Sequence, residues 1–365
     1  GVCQLDMFSI LSRTSLEFIG RAGVGYSFDP LTSGEQGGLK SFFQPFSGPL
    51  LLPYRAVASR IRPPYLRRFA LSLIPSKTLG ALCNDISAMD TKAKALVRDK
   101  KQAVQNGPIE AIDSSHDIMS LLLKSNLTAA ADMKFTDDEL VAQISSVEMI
   151  IQAGTDVSSS ALNRIVHVLA LHPDVQEKLR AEIMETNEQP THDDPVHLPY
   201  LDGVVRETLR LYPPITAMTR NATQDCILPL SNPITGIDGR TINAIPLLKE
   251  TEVYMAIAAA NHNKAIWGPD ALEFTPQRWQ NGRAVGVTVR MSGIYGNKMT
   301  FVGWGRSCIG FKFVQLELKV ALSVLLRSFR FSVATNRIRW TMSSPASPTV
   351  DSLPLLPILV EQLSS

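Results

Sequence analysis

The stretch Phe301-Val-Gly-Trp-Gly-Arg306-Ser-Cys308-Ile-Gly310 holds the residue best placed for chemistry, a lone cysteine just before an apolar helical run. A thiol at a helix start faces unpaired amides and the positive end of the helix dipole, and both favour the thiolate. Gly303 and Gly305 before the cysteine, with Gly310 after it, permit a tight backbone that aims amides at the sulfur. Arg306 adds a nearby cation or an anchor for carboxylates. A lone cysteine is ordinarily a small buried hydrophobe, but this setting points to a working thiolate. The other cysteines, at positions 3, 83 and 226, are too scattered for a zinc knuckle or a Cys-x-x-Cys redox pair.

Ala153-Gly154-Thr155-Asp156-Val157-Ser158 is the second unusual stretch, because it puts glycine and short polar side chains inside an apolar helical pattern. Glycine there costs about 1 kcal/mol relative to alanine. The segment therefore serves a close backbone approach, a local distortion, or a bend made by hydroxyls bonding back to carbonyls. Glu207 and Arg210 stand three apart on one helical face, the spacing of an ordinary ion pair. His167 and His172 are five apart and share no helix face, so neither reads as a ligand.

The elements that must carry these groups are mostly helices. Thr136-Asp-Asp-Glu139 is a capping box. Apolar residues then recur at helical spacing from Leu140 to Leu171, where Pro173 forbids continuation. At 1.5 Å per residue this helix is roughly 50 Å long, enough to cross a domain. Further helices are expected over Asp174–Glu188, Leu201–Leu211 (ended by Tyr212-Pro213-Pro214) and Ile309–Ser328, the last apolar on most faces and hence buried. Short strands are expected over Thr241–Ile245 and Glu252–Ile257, loops over Asn261–Asn297, and irregular strands in the tail. The first third reads as helices broken by Pro and Gly.

Composition excludes several classes. Thirty-six Lys and Arg against 34 Asp and Glu leave +2, far too balanced for binding nucleic acid by phosphate neutralisation. An apolar share of 45% among 365 residues excludes general disorder. No run of about 18 uncharged apolar residues exists to span a bilayer. The chain opens at Gly1 as though mid-domain, without a charged start and apolar signal core. Residues 36–84 carry no acid, while Lys40, Arg55, Arg60, Arg62, Arg67, Arg68 and Lys77 are interleaved with apolar side chains. That mixture suits an anionic lipid surface, or a solvated helix with a buried back.

The Cys308 stretch resembles the haem-binding loop of the cytochrome P-450 family, Phe-x-x-Gly-x-Arg-x-Cys-x-Gly, and further landmarks follow in the family's order. Ala153-Gly154-Thr155-Asp156 resembles the oxygen-binding groove of its long central helix. Glu207-Thr-Leu-Arg210 resembles its Glu-x-x-Arg pair, with Arg278 of Pro276-Gln-Arg-Trp279 as third partner and Arg220 as the strand arginine that binds a haem propionate. The similarity covers essentially the whole chain and is closest to fungal microsomal-type members.

The resemblance implies a mainly α cytochrome P-450 fold in one domain over 1–365, haem b, and Cys308 as axial iron ligand. It implies Phe301, Arg306, Gly310 and Arg220, with Ala153 and Gly154 leaving room over the haem face, as cofactor contacts. Asp156 with Thr155 or Ser158 would move protons. Glu207, Arg210 and Arg278 would clamp the cysteine loop. The implied activity is insertion of one oxygen atom from O2 into a small apolar substrate, with electrons from an NADPH-dependent reductase. That reductase would dock near Lys312 and Lys319, unless these are merely a solvated face. The implied location is the cytosolic face of the endoplasmic reticulum, with residues 36–84 as substrate roof and membrane-dipping helices.

Three departures from the pattern stand out. Val157 occupies the place of the usual proton-delivering Thr, and Trp304 that of the loop's first Gly. The family's anchor, first strands and first helices, including the helix whose Trp and Arg hold propionates, are expected to be missing from this chain. These departures leave two other readings: a truncated non-catalytic relative, or a haem-thiolate isomerase or peroxygenase for which the lost hydroxyl is harmless.

Overall fold

The computed structural model describes residues 1–25, 117–129, 133–186, 197–280, 293–343 and 345–363, with a few single positions besides. The basic stretch 36–84 lies outside the described residues except Leu66 and Phe69, both exposed. The chain divides into two compact units. The first comprises 1–198, 312–343 and 347–365, and the second 199–311 and 344–346.

The first unit is organised on one long helix. Strand β1 (Val2–Asp6) runs into α1 (Met7–Ile19), capped by the Asp6 carboxylate, which accepts from the Phe8 amide at 3.2 Å and the Leu356 amide at 2.9 Å. After α2 (Ile118–Thr128) comes α3 (Asp137–Leu171), whose capping box is complete. Thr136 accepts from the Glu139 amide, and the Glu139 carboxylate accepts from the Thr136 amide. Leu162, Ile165 and Leu169 are fully buried at helical spacing, so the second half of α3 is core. Pro173 ends α3 and opens α4 (Pro173–Met184).

Helix α8 (Phe311–Ser328) begins at the end of the second unit and runs through the first, followed by β8 (Phe329–Val333), β9 (Arg339–Trp340), β10 (Pro348–Val350), β11 (Leu353–Pro354) and β12 (Pro357–Gln362). The antiparallel sheet has order β1-β12-β8, with Leu5 opposite Ile358 and Ile358 opposite Val333. Gln176 ties α4 to that sheet: its buried amide donates to Phe331 O at 2.9 Å and accepts from Phe331 N at 2.8 Å.

The second unit starts with α5 (Pro199–Leu211) and continues through β2 (Met218–Asn221), the β3 (Cys226–Thr235) and β4 (Thr241–Leu247) hairpin, and β5 (Glu252–Met255), which pairs with β2. Short helices α6 (Ile257–Asn261) and α7 (Lys264–Trp267), a 3-10 turn (Pro276–Arg278) and the paired two-residue strands β6 (Trp279–Gln280) and β7 (Arg283–Ala284) follow.

Three expectations are corrected. Residues 2–6 form a strand because they pair with β12, a partner more than 350 positions away that no local pattern reveals. Ile257 opens a helix instead of closing a strand, with Ala258-Ala-Ala260 supplying good helix formers. Helix α8 is not uniformly apolar inside, since Glu317, Lys319 and Ser323 are buried. Among the described residues no helix is long and apolar enough to cross a membrane.

Candidate active site

Helix α5 holds the densest polar construction in the second unit. Glu207 and Arg210 are both fully buried, joined by Arg210 Nε to Glu207 Oε2 at 2.9 Å and Nη2 to Oε1 at 2.8 Å. The rest of the guanidinium fork donates to the carbonyls of Asn261 (2.8 Å), Ala271 (2.6 Å) and Glu273 (3.3 Å). Arg278 reaches Glu207 Oε1 at 3.3 Å and Asp270 Oδ2 at 2.7 Å, and Trp279 Nε1 donates to Glu207 Oε2 at 2.9 Å. Every lone-pair direction of the carboxylate is thus used, which is the condition under which a buried charge is tolerated. Gly203 makes room for this: a Cβ there would lie 2.7 Å from the Pro276 carbonyl, so only glycine lets the Arg278 turn seat on α5. The structure therefore brings Glu207, Arg210 and Arg278 together, with Asp270 and Trp279 as members the sequence reading did not single out.

The cysteine loop hangs from this clamp by two side chains that carried no sequence signal. Asn261 Oδ1 accepts from the Met299 amide at 2.8 Å, and its Nδ2 donates to Thr300 Oγ1 at 3.0 Å. Thr300 in turn donates to the Leu209 carbonyl at 2.7 Å. Phe301 is buried against Tyr295 and Phe311, with ring centroids 5.6 and 6.3 Å apart, and its carbonyl accepts from the Cys308 amide at 3.0 Å. A 3-10 turn, Trp304–Arg306, carries the chain across to Ser307. Trp304 has φ +59°, the left-handed region that glycine occupies without penalty, so this exposed Trp stands in a conformation that favours glycine.

Cys308 is an exposed free cysteine. Helix α8 starts three residues later, at Phe311, so the thiol stands ahead of the first-turn amides. The expected helix-start activation is corrected accordingly. Partial burial of the sulfur pushes the thiol up, and only a hydrogen bond from the Gly310 amide pulls the other way. Ionisation must then come from what the sulfur binds.

The remaining residues of this unit fit a haem. Arg220, half-exposed on β2, donates to the Thr219 carbonyl, and neither it nor the exposed Arg306 has a carboxylate partner among the described residues. Two such guanidinium groups suit propionates. A Cβ at Gly305 or Gly310 would meet nothing within 4 Å, and Ile309 is 91% exposed, an apolar side chain beside a soft sulfur donor. Among the described residues no group of three His, Cys, Asp or Glu could hold a metal. A single sulfur donor of this kind suits an iron whose other ligands come from a macrocycle.

In the first unit, the α3 segment departs from expectation in two places. The room that Gly154 leaves is filled, because Ile19 Cδ1 of α1 lies 3.0 Å from where a Cβ would stand; the close approach is helix on helix, not an open cofactor face. Thr155 is buried and its hydroxyl donates to the Ile151 carbonyl at 2.8 Å, which commits the proton a relay would need. Ala153 is exposed and Asp156 half-buried, and desolvation pushes the Asp156 carboxyl up to about 7. Ser158 is buried. On α8, Lys319 is 4% exposed and cannot serve a docking surface, which leaves only Lys312 at the surface.

Comparison with known proteins agrees with this construction. The Cytochrome P450 family profile matches residues 2–352. Cytochrome P450 monooxygenase 91 of Postia placenta is 41% identical over 379 residues, covering 100% of this chain and 69% of that protein. A ganoderic acid synthetase of Ganoderma lucidum is 43% identical over 367 residues, covering 95% of this chain and 66% of its own. A crystal structure of a cytochrome P450 superposes with a TM-score of 0.68 at 23% identity, over 99% of this chain and 69% of that one. This chain thus spans about two thirds of the length of these relatives. Its fold is the cytochrome P450 fold, and it belongs to the cytochrome P450 family of haem-thiolate oxidoreductases that incorporate molecular oxygen.

Proposed function

We propose that this protein is a monooxygenase that inserts one oxygen atom from O2 into a small, apolar organic substrate, using electrons from an NADPH-dependent reductase. The observation that carries the reading is the cysteine loop: a solvent-facing Cys308 in a loop tied at Thr300, through Asn261, to the buried Glu207–Arg210 pair. Cys308 ligates the iron, while Arg220 and Arg306 take the propionates and Phe301 fixes the loop. Bound haem supplies the redox chemistry with O2, and thiolate ligation favours O–O cleavage.

The protein's own groups supply position and protons. Asp156, half-buried and poised near neutrality, is a proton carrier at physiological pH, and Ser158 two positions on carries a buried hydroxyl. The fungal relatives, one of them named for ganoderic acid synthesis, support a role in secondary metabolism. Residues 36–84 would rest on the cytosolic face of the endoplasmic reticulum membrane. The test is the reduced, carbon-monoxide-bound spectrum. A red-shifted Soret band that Cys308→Ala abolishes is expected. Its absence from the parent protein, or its survival in the variant, overturns the reading.

A further inference from the structure

In the second unit, residues 293–302 close on themselves around one fully buried lysine. The Ile294 amide donates to the Val302 carbonyl at 3.1 Å. A Cβ on Gly293 would lie 1.8 Å from the Lys298 carbonyl, so the chain crosses the Lys298 backbone where only glycine fits. Lys298 is 0% exposed, and its Nζ stands 3.8 Å from the Tyr295 ring centre and 4.7 Å from that of Trp279, both rings buried. This Nζ donates to no side chain or carbonyl. The residues that follow Lys298 carry the ties of the cysteine loop: the Met299 amide to Asn261 Oδ1, and the Thr300 hydroxyl to the Leu209 carbonyl.

The charge state of the amine follows from what surrounds it. Four charged groups of α5 act on it, Asp202 and Glu207 in favour of an ammonium, Arg206 and Arg210 against. Both acids are committed elsewhere. Asp202 accepts from Arg206 Nε and from the Tyr295 hydroxyl at 3.1 Å, and Glu207 is enclosed by Arg210, Arg278 and Trp279. The ring that would have to stabilise an ammonium already carries a cation. The Arg206 guanidinium lies 3.8 Å from the Tyr295 centre and cannot give up its proton. Cation–π attraction on a shared ring is too weak to replace the hydration shell of an ammonium. Burial accordingly holds the Lys298 pKa well below its usual value.

We propose that Lys298 is a proton-operated latch on the cysteine loop. As the free amine it stays in its aromatic slot and the loop is closed. On taking up a proton from solvent it leaves the slot for water, and the Met299 and Thr300 ties open with it. Lys298 is thus a positioning residue that acts through Thr300 and Phe301. The latch is a property of the polypeptide; its consequence, that haem is released more readily as pH falls, rests on ligation by Cys308.

Amide hydrogen exchange tests the latch without haem. Opening takes up one proton at any pH below the usual lysine pKa and above that of the closed state. In the parent protein the open fraction at the Ile294 and Met299 amides, corrected for intrinsic exchange rates, should therefore rise about tenfold for each pH unit from 9 down to 7. Lys298→Met, apolar and of similar length, should lose that slope, while the Leu169 amide on α3 keeps one pH dependence in both proteins. Equal slopes in parent and variant at Ile294 and Met299 overturn the latch. A matching change of slope at Leu169 also overturns it, because Lys298 then acts on global stability. In the haem-loaded protein, transfer of haem to excess apomyoglobin should quicken from pH 9 to 7 in the parent and not in Lys298→Met. Haem transfer that ignores pH in a parent whose loop shows the slope refutes control of haem retention. A parent that shows the slope but fails the carbon-monoxide test overturns the monooxygenase reading and leaves the latch standing.

Discussion

Replacing Arg210 by Lys keeps the charge at the heart of the clamp and removes its shape, so it separates two explanations of why the clamp is stable. Arg210 makes five hydrogen bonds, two to Glu207 and one each to the carbonyls of Asn261, Ala271 and Glu273. An ammonium offers three donors from a single point, so at least two of these acceptors lose their partner. Each orphaned buried acceptor costs about 1–3 kcal/mol, which puts Arg210→Lys at roughly 2–6 kcal/mol. Arg210→Ala strands a buried Glu207 with only Arg278 for a cation, and breaking such a pair costs about 3–5 kcal/mol before the carbonyls are counted. Against a typical total of about 5–15 kcal/mol, either loss is large. Because Asn261 and Thr300 pass the geometry on to the cysteine loop, low haem content should accompany low stability. Guanidinium chloride midpoints and haem-to-protein ratios check this. If Arg210→Lys stays within about 1 kcal/mol of the parent with full haem, charge alone holds the clamp and the geometric argument is wrong.

Three further outcomes are expected. Lys298 is fully buried, with its ammonium position over the Tyr295 and Trp279 rings at 3.8 and 4.7 Å and no hydrogen-bond partner for Nζ. Burial holds its pKa well below the usual value, so Lys298→Met should raise the melting temperature, and a drop would mean the ring contacts outweigh desolvation. Trp304→Gly should stabilise by about 1 kcal/mol, since it relieves a left-handed backbone that a bulky residue adopts at a cost; unchanged unfolding midpoints would count against strain at that position. Stability should also respond to pH in a defined way. Asp156 and Glu317 keep protons in the folded state up to about 7 that the unfolded chain loses near 4, so each makes stability fall as pH rises through that window. His167, buried and held down to about 4, opposes them only up to its unfolded pKa near 6.5. Glu317→Gln should therefore gain up to about 3 kcal/mol over the parent at pH 8 and much less at pH 4, and an equal gain at both pH values would show that Glu317 is not buried as an acid.

The sequence was most informative where a local rule had no competitor. The capping box at Thr136 and the stop at Pro173 bound α3 within a few residues, because caps and proline act on the backbone next to them. The three charged members of the clamp were legible only as a resemblance, since Glu207–Arg210 spacing is equally that of a solvated pair; burial decides the difference, and burial depends on residues 261–279 folding over α5. Asn261 and Thr300 were not legible at all, being ordinary polar residues whose importance lies in which carbonyls they meet. Gly154 shows the opposite error. Its presence left a close approach, a distortion and a bend open, an isolated sequence does not say which, and the structure puts Ile19 against it.

Trp304 and Val157 are the two positions where the chain departs from its family's motifs, and they have different physical consequences. At 304 the fold imposes a left-handed backbone on a tryptophan, whose indole is left in solvent. The loop path is thus set by its anchors, Phe301 in the core and the Cys308 amide on the Phe301 carbonyl, and not by the residue that would make that path easy. At 157 what is lost is a hydroxyl, a function that backbone strain cannot replace. The next residue, Ser158, retains one in a buried position, beside the Glu317 carboxyl that burial pushes up to about 7. Strain at one departure is a stability cost confined to a turn. A missing proton donor is a chemical deficit, and no change of backbone conformation supplies one.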